Sequence, residues 1–235
     1  MNYRLVHSLK GEFEAEGLSR EDLCSEVIFA ANKSLDYLVK VSGSEAKSDY
    51  SYLEKIGVTS IVCPMVESSF GMTKYMSSIE GKLFSHIGVT IETKTASDKI
   101  KDILSAGSAL DNVTIGRSDL AASLNIKDVE SKEICYHLEK IAYEGKAQGL
   151  TVSIGGTITS KTRNMLCENM AISDLIDYVE TRKAVFEKKA FLENDAISLA
   201  FDIEKILLER RAKHNEEQLD LIKKRLAIIE FRKSE

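Results

Sequence analysis

The sequence is short of several things that usually betray a function. It has no tryptophan and one proline, Pro64, in 235 residues, which excludes proline-rich linkers and polyproline segments. Its four cysteines, Cys24, Cys63, Cys135 and Cys167, lie far apart with no C-x-x-C pair, so reduced thiols are expected rather than a zinc site or a disulfide framework. The four histidines, His7, His86, His137 and His214, fall into no constellation that supports a histidine-based mechanism. His86 lies six residues before Glu92, at the far end of the same strand candidate, about 20 Å away at ~3.3 Å per residue. No apolar run approaches the ~18 residues of a membrane span. The opening residues, MNYRLVHSLKGEFE, lack the apolar core of a signal peptide, so a cytoplasmic location with no membrane partner is expected. Positive charge is not in excess: the net charge is −5, which argues against a nucleic-acid surface.

What is there is an ordinary globular balance, 43% apolar and 29% charged. Short β-branched runs alternate with helical patterns. Strands are expected within 9–17, 35–43, 57–65, 84–92, 112–118 and 150–156, with a seventh in 177–186. Helical spacing falls at 22–33, 44–55, 73–80, 97–105, 129–147 and 160–169, with Ser19 and Ser97 as caps. Strand and helix alternating this often means parallel strands with crossover helices. An open doubly wound sheet and a (β/α)8 TIM-type barrel both fit. A barrel wants eight units in ~250 residues, so one unit here is short or degenerate. From Ala190 onward there is no proline, glycine or strand signal. Residues 1–189 are read as the barrel domain. Residues 190–235, one helix or two with a break near His214–Asn215, are either a final barrel helix with a frayed tail or, the reading preferred here, a helical arm that packs on a neighbouring subunit.

In parallel α/β folds the chemistry gathers at the C-terminal ends of the strands. The stretch KGEFEAEG sets Glu12, Glu14 and Glu16 at alternate positions, one face of a strand if it stays extended. Other strand ends carry Lys40, Glu67, Glu92, the run Gly116-Arg117-Ser118-Asp119, and Glu180 with Arg182. Glu92 and Asp119, at the ends of adjacent strands, can hold one divalent cation. Alternatively Asp119 caps the segment after it and Glu92 pairs with a lysine, and spacing alone favours that second arrangement.

Three segments in order, IVCPMVES (61–68), IGVTIET (87–93) and VTIGRSDLAASLN (113–125), resemble the HpcH/HpaI aldolase and citrate lyase β family. EFEAEG, LVKVSGSEAKSD and YVETRKAVF extend the likeness over roughly residues 9 to 187. The resemblance implies a barrel of the phosphoenolpyruvate/pyruvate-binding superfamily. It implies Mg²⁺ or Mn²⁺ on Glu92 and Asp119, a small 2-oxo acid as substrate, and C-terminal helices exchanged in a homo-oligomer. Two departures stand out. The family's acid/base histidine has no counterpart in F-E-A-E-G, and Lys40 stands where an enolate-stabilising arginine is expected. Glu14, Lys40 and Glu67 are therefore the expected catalytic groups, with Arg117, Gly116, Ser118 and Glu16 binding substrate. The expected activity is a metal-dependent carbon–carbon lyase or aldolase. The rivals are an acyl-CoA lyase of the citrate lyase β type and an inactive barrel serving as an assembly subunit.

Overall fold

The structure, a computed structural model, describes residues 1–213 and 219–234. Eight strands close into a barrel in chain order: β1 (Ser8–Glu12), β2 (Asp36–Lys40), β3 (Ser60–Cys63), β4 (His86–Ile91), β5 (Asn112–Gly116), β6 (Thr151–Gly155), β7 (Tyr178–Glu180) and β8 (Ala184–Glu187). Strands β1 to β7 run parallel. Strand β8 is antiparallel to both its neighbours, β7 and β1. The segment read as one strand at 177–186 is thus a tight hairpin. Only Thr181, Arg182 and Lys183 join its strands, far fewer residues than a parallel crossover needs, so the chain must run back. The Thr181 N–H donates to the Ala184 carbonyl at 2.8 Å and closes the turn. This is the degenerate eighth unit.

Alternation along the strands separates two environments. Leu9, Val39, Ile61, Val89, Ile91, Val113, Ile115, Val152, Ile154, Val179 and Phe186 point outward and are buried under the helices. Each such side chain contributes roughly 1.5–3 kcal/mol of transfer free energy. The inward positions are mostly polar: Ser8, Lys10, Thr90, Asn112, Thr114, Ser153 and Glu180 are all buried. A small apolar plug of Leu38, Val62 and Val185 sits among them. The Asn112 amide reaches from β5 to Ser153 Oγ on the neighbouring β6, at 3.0 Å.

The helices start where short polar side chains can cap them. Ser19 Oγ accepts the Asp22 N–H at 3.0 Å and opens helix Arg20–Ala31. Ser97 is not a cap: Thr93 caps a helix that starts three residues earlier, at Lys94. Ser97 is buried instead, its hydroxyl 2.7 Å from His137 Nδ1. The C-terminal helix Ala196–Ala212 packs on its own barrel through Leu199, Ile203 and Leu207. Helix Leu219–Ser234 then packs on it, Ile222 and Ile229 against Leu208. The break expected near His214–Asn215 lies outside the described residues. Among the described residues no helix is long and apolar enough to cross a membrane.

Candidate active site at the barrel mouth

Strand β1 ends at Glu12, and this decides which acids reach the mouth. Phe13–Glu16 is a helical turn closed by Gly17 at φ 57°. Glu-Ala-Glu is a helix-forming run, and a following glycine adopts the left-handed conformation without cost. The alternation therefore stops, and the three glutamates part company. Glu12 faces the cavity, Glu14 is exposed outside it, and Glu16 turns into the protein. The expected catalytic role of Glu14 and substrate role of Glu16 do not match these positions.

The cavity, about 330 Å³, opens at the C-terminal ends of the parallel strands. Its floor is a chain of alternating charges. Lys10 Nζ lies 2.9 Å from Glu180 Oε2 and 3.1 Å from Glu12 Oε1. Lys40 Nζ lies 3.4 Å from Glu92 Oε2 and 3.8 Å from Glu12 Oε2. The Thr114 hydroxyl donates to Glu180 Oε1 at 2.7 Å. Burial alone would push the Lys10 ammonium down, but the fields of Glu180 and Glu12 outweigh it and hold it above the usual lysine range. Burial likewise raises Glu12, and Lys10 and then Lys40 reverse it, so the carboxyl sits below its ordinary value.

Glu92 is 2% exposed. Burial raises its carboxyl, Lys40 opposes that, and the nearby charge of Asp119 raises it further. Its Oε1 accepts the Met65 N–H at 3.0 Å. Met65 holds a left-handed backbone, φ 55°, unusual for a residue with a side chain, which aims that N–H at the carboxylate. The P-M-V-E stretch thus works through its backbone. Glu67, the acid of that stretch, is exposed away from the cavity and accepts the Thr93 hydroxyl at 2.6 Å. It is not part of the cavity wall, contrary to expectation.

Asp119 lies in the first turn of helix Arg117–Ser123, after the strand next to that of Glu92, and lines the same cavity. No side chain caps that helix, so the expected capping alternative for Asp119 is not formed, whereas the Glu92–lysine pair is. Two carboxylates that repel across shared space suit a hard divalent cation, and water and substrate oxygens would complete its shell. No third carboxylate, histidine or cysteine groups with them among the described residues.

Gly116 and Ser118 line the cavity as expected, but Arg117 does not. The Arg117 side chain is fully buried behind the wall. Its Nη1 contacts both Glu130 oxygens at 2.9 Å, and Nη2 donates to the Gly156 carbonyl at 2.9 Å and Thr162 Oγ1 at 3.1 Å. With its donors consumed internally, it shapes the β6 loop rather than binding substrate. That loop is tight: Gly156 has φ 81°, and a Cβ there would sit 2.5 Å from the Ser118 nitrogen.

The mouth carries residues that the sequence reading missed or left as ion-pair partners. Arg182, from the β7–β8 turn, lies 3.7 Å from Glu204 Oε1. Arg225 binds the same Glu204 bidentately, at 2.5 and 3.0 Å. Arg232 also lines the opening. Arg225 and Arg232 sit seven residues apart, two turns of one helix face, so their pairing was legible. That their face meets this barrel was not. Glu16 belongs to a separate buried cluster: it contacts Lys183, which lies 2.9 Å from Glu26, while Arg211 lies 3.3 Å from Glu16 and 3.0 Å from Glu26.

Solved structures share this architecture. An HpcH/HpaI aldolase from Desulfitobacterium hafniense DCB-2 superposes with a TM-score of 0.63 at 17% identity, covering 73% of this chain and 75% of that one. The citrate synthase SbnG gives 0.62 at 15% identity, covering 85% and 84%. CitE from Mycobacterium tuberculosis, in complex with magnesium and acetate, gives 0.55 at 15% identity, covering 81% and 83%. At such identities the likeness speaks for the fold. No curated protein matches in sequence. The model of the HpcH/HpaI aldolase/citrate lyase family matches residues 21–165, more than half of the chain, and the chain belongs to that family.

Proposed function

We propose that the protein is a divalent-metal-dependent carbon–carbon lyase acting on a small 2-oxo acid or its condensation product. The observation that carries this reading is Glu92 and Asp119 lining one cavity from the ends of the adjacent strands β4 and β5, the burial of Glu92 compounded by the charge of Asp119. These two would hold Mg²⁺ or Mn²⁺, which would act as a Lewis acid on the carbonyl of a bound 2-oxo acid. Lys40, between Glu12 and Glu92, offers its ammonium to the substrate's carboxylate or developing enolate oxygen.

With Glu14 and Glu67 outside the cavity, Glu12 is the acid/base candidate. Its lysine neighbours keep it ionised, which suits a base. In the cleavage direction it takes the proton of the hydroxyl that becomes the product aldehyde or ketone. The carbon–carbon bond breaks and its electron pair enters the 2-oxo acid as an enolate. Glu12 then returns the proton to the enolate carbon. The buried Glu92 needs no proton transfer, only charge compensation.

The partner besides this substrate is a second copy of the chain. Leu221, Ile228 and Phe231 are exposed on the last helix, which supports association through the C-terminal helices.

The test is calorimetric titration of Mg²⁺ and Mn²⁺ into metal-free protein, with and without pyruvate or oxaloacetate, for wild type and Asp119→Ala. Binding that tightens with the 2-oxo acid and is lost in Asp119→Ala is expected. Absence of metal binding under every condition would sink the lyase reading.

A further inference from the structure

The charges of the cavity are layered. Its floor holds Lys10 and Lys40 against Glu12, Glu92, Asp119 and Glu180, an excess of two negative charges. One divalent cation neutralises that excess. The rim holds Arg182, Arg225 and Arg232 against Glu204 alone, an excess of two positive charges. Nothing in the floor chemistry requires this rim. The volume of about 330 Å³ is at the lower end for ligand pockets and leaves space beyond a three-carbon acid.

The rim is built rather than incidental. Glu204 is buried, 3% exposed, and its carboxylate grips Arg225 bidentately while meeting Arg182. That single carboxylate fixes two guanidinium groups on different elements, the β7–β8 turn and the last helix. The Arg182 side chain remains 38% exposed and also donates to the Ala15 carbonyl at 3.2 Å. Arg232 is exposed and makes no ion pair among the described residues. Planar guanidinium forks match phosphate oxygens in a way lysines do not. A phosphate monoester carries about −1.5 to −2 charges at neutral pH and fits the excess, whereas one carboxylate answers half of it.

We propose that Arg182, Arg225 and Arg232 form a second anion subsite at the mouth, which binds a phosphate monoester on the part of the substrate distal to the 2-oxo acid. Glu204 is its positioning residue. The subsite stands on its own geometry; its role in catalysis rests on the lyase reading. The substrate class is then a phosphorylated condensation product, cleaved to a 2-oxo acid and a phosphorylated aldehyde or ketone.

The test uses the full chain and unreactive probes. Glycerol 3-phosphate, succinate and coenzyme A are titrated calorimetrically, with and without Mg²⁺, into wild type, Arg182→Gln and Arg232→Gln. Glycerol 3-phosphate is expected to bind wild type without Mg²⁺, at least tenfold tighter than succinate, and to lose at least tenfold in each variant. Arg232 is solvent-exposed, so Arg232→Gln keeps the test valid if Arg182→Gln fails to fold. Equal binding of succinate, preferential binding of coenzyme A, or unchanged affinity in Arg232→Gln overturns the proposal. A parallel titration of Mg²⁺ with pyruvate separates the two readings. If that fails while glycerol 3-phosphate binds, the subsite holds and the lyase reading falls; the reverse result removes the subsite alone.

Discussion

Replacing Lys183 with methionine should destabilise the protein strongly, and more so at neutral than at acid pH. Methionine keeps an unbranched stem and removes only the ammonium. Lys183 is fully buried between Glu16 and Glu26, with Arg211 as the other cation of the cluster. Its loss leaves two buried carboxylates facing one guanidinium. Breaking a buried ion pair from one side costs about 3–5 kcal/mol. In a chain of this length 1 kcal/mol corresponds to roughly 2–4 °C, so Tm should fall by about 6–20 °C. Glu16 gives the pH dependence its sign. Its carboxyl is already raised by burial, with Lys183 opposing and Glu26 reinforcing the shift. Without Lys183 it rises further, so the native state binds a proton that the unfolded state, with a carboxyl pKa of about 4.3, has released. Stability then falls as pH rises between those two values, and the deficit should shrink from pH 7 to pH 5. Thermal unfolding of Lys183→Met at both pH values and fixed protein concentration reads this directly. The double variant Lys183→Met/Glu16→Gln should recover at least half of the loss. A Tm within about 3 °C of wild type, less than one buried pair is worth, or a deficit indifferent to pH, would refute the reasoning.

Two more outcomes follow from close contacts. In Gly116→Ala the new Cβ would sit 2.7 Å from Glu92 Cβ and 2.8 Å from its Oε2, so Glu92 must move; a stability loss of about 1–3 kcal/mol in urea is expected, with metal affinity lowered at least tenfold by calorimetry. Unchanged metal affinity would separate Glu92 from the metal. Arg117→Lys keeps the charge but loses the fork that holds Glu130 and the Gly156 carbonyl; about 2–4 kcal/mol of stability should go, and urea unfolding would show it.

The strands were legible because their outward faces are apolar at every second position, and the alternating helices supplied the rest. What sequence could not supply was the phase change after Glu12. E-F-E-A-E-G reads as a strand by alternation and as a helical turn by composition, and the glycine decides for the turn. One residue of β-phase kept Glu12 in the cavity and sent Glu16 into the Lys183 cluster. Arg117 misled for a related reason. A cation beside an acid at a strand end reads as a substrate group, but the first turn of a helix sends consecutive side chains in different directions. Asp119 therefore faces the cavity, and Arg117 faces Glu130.

The layered charge of the cavity is a tertiary property for the same reason. Its floor comes from β1, β2, β4, β7 and the helix after β5, all inside the segment whose motifs read as a barrel. Its rim comes from Arg182, from Glu204 on helix Ala196–Ala212 and from helix Leu219–Ser234, all beyond the family match. Of the floor charges, Lys40, Glu92 and Asp119 fall inside the family match, and the rim charges all lie beyond it. If the rim selects the substrate, exchanging the C-terminal helices should change which substrate is taken while the carbon–carbon chemistry proposed for Glu92 and Asp119 stays the same. The two layers meet at the β7–β8 turn, where Glu180 on the floor and Arg182 on the rim lie two residues apart, and at the turn after β1, where Arg182 donates to the Ala15 carbonyl three residues beyond Glu12. The β7–β8 turn carries a charge of each layer on one short piece of backbone, so a change in its length should disturb both at once.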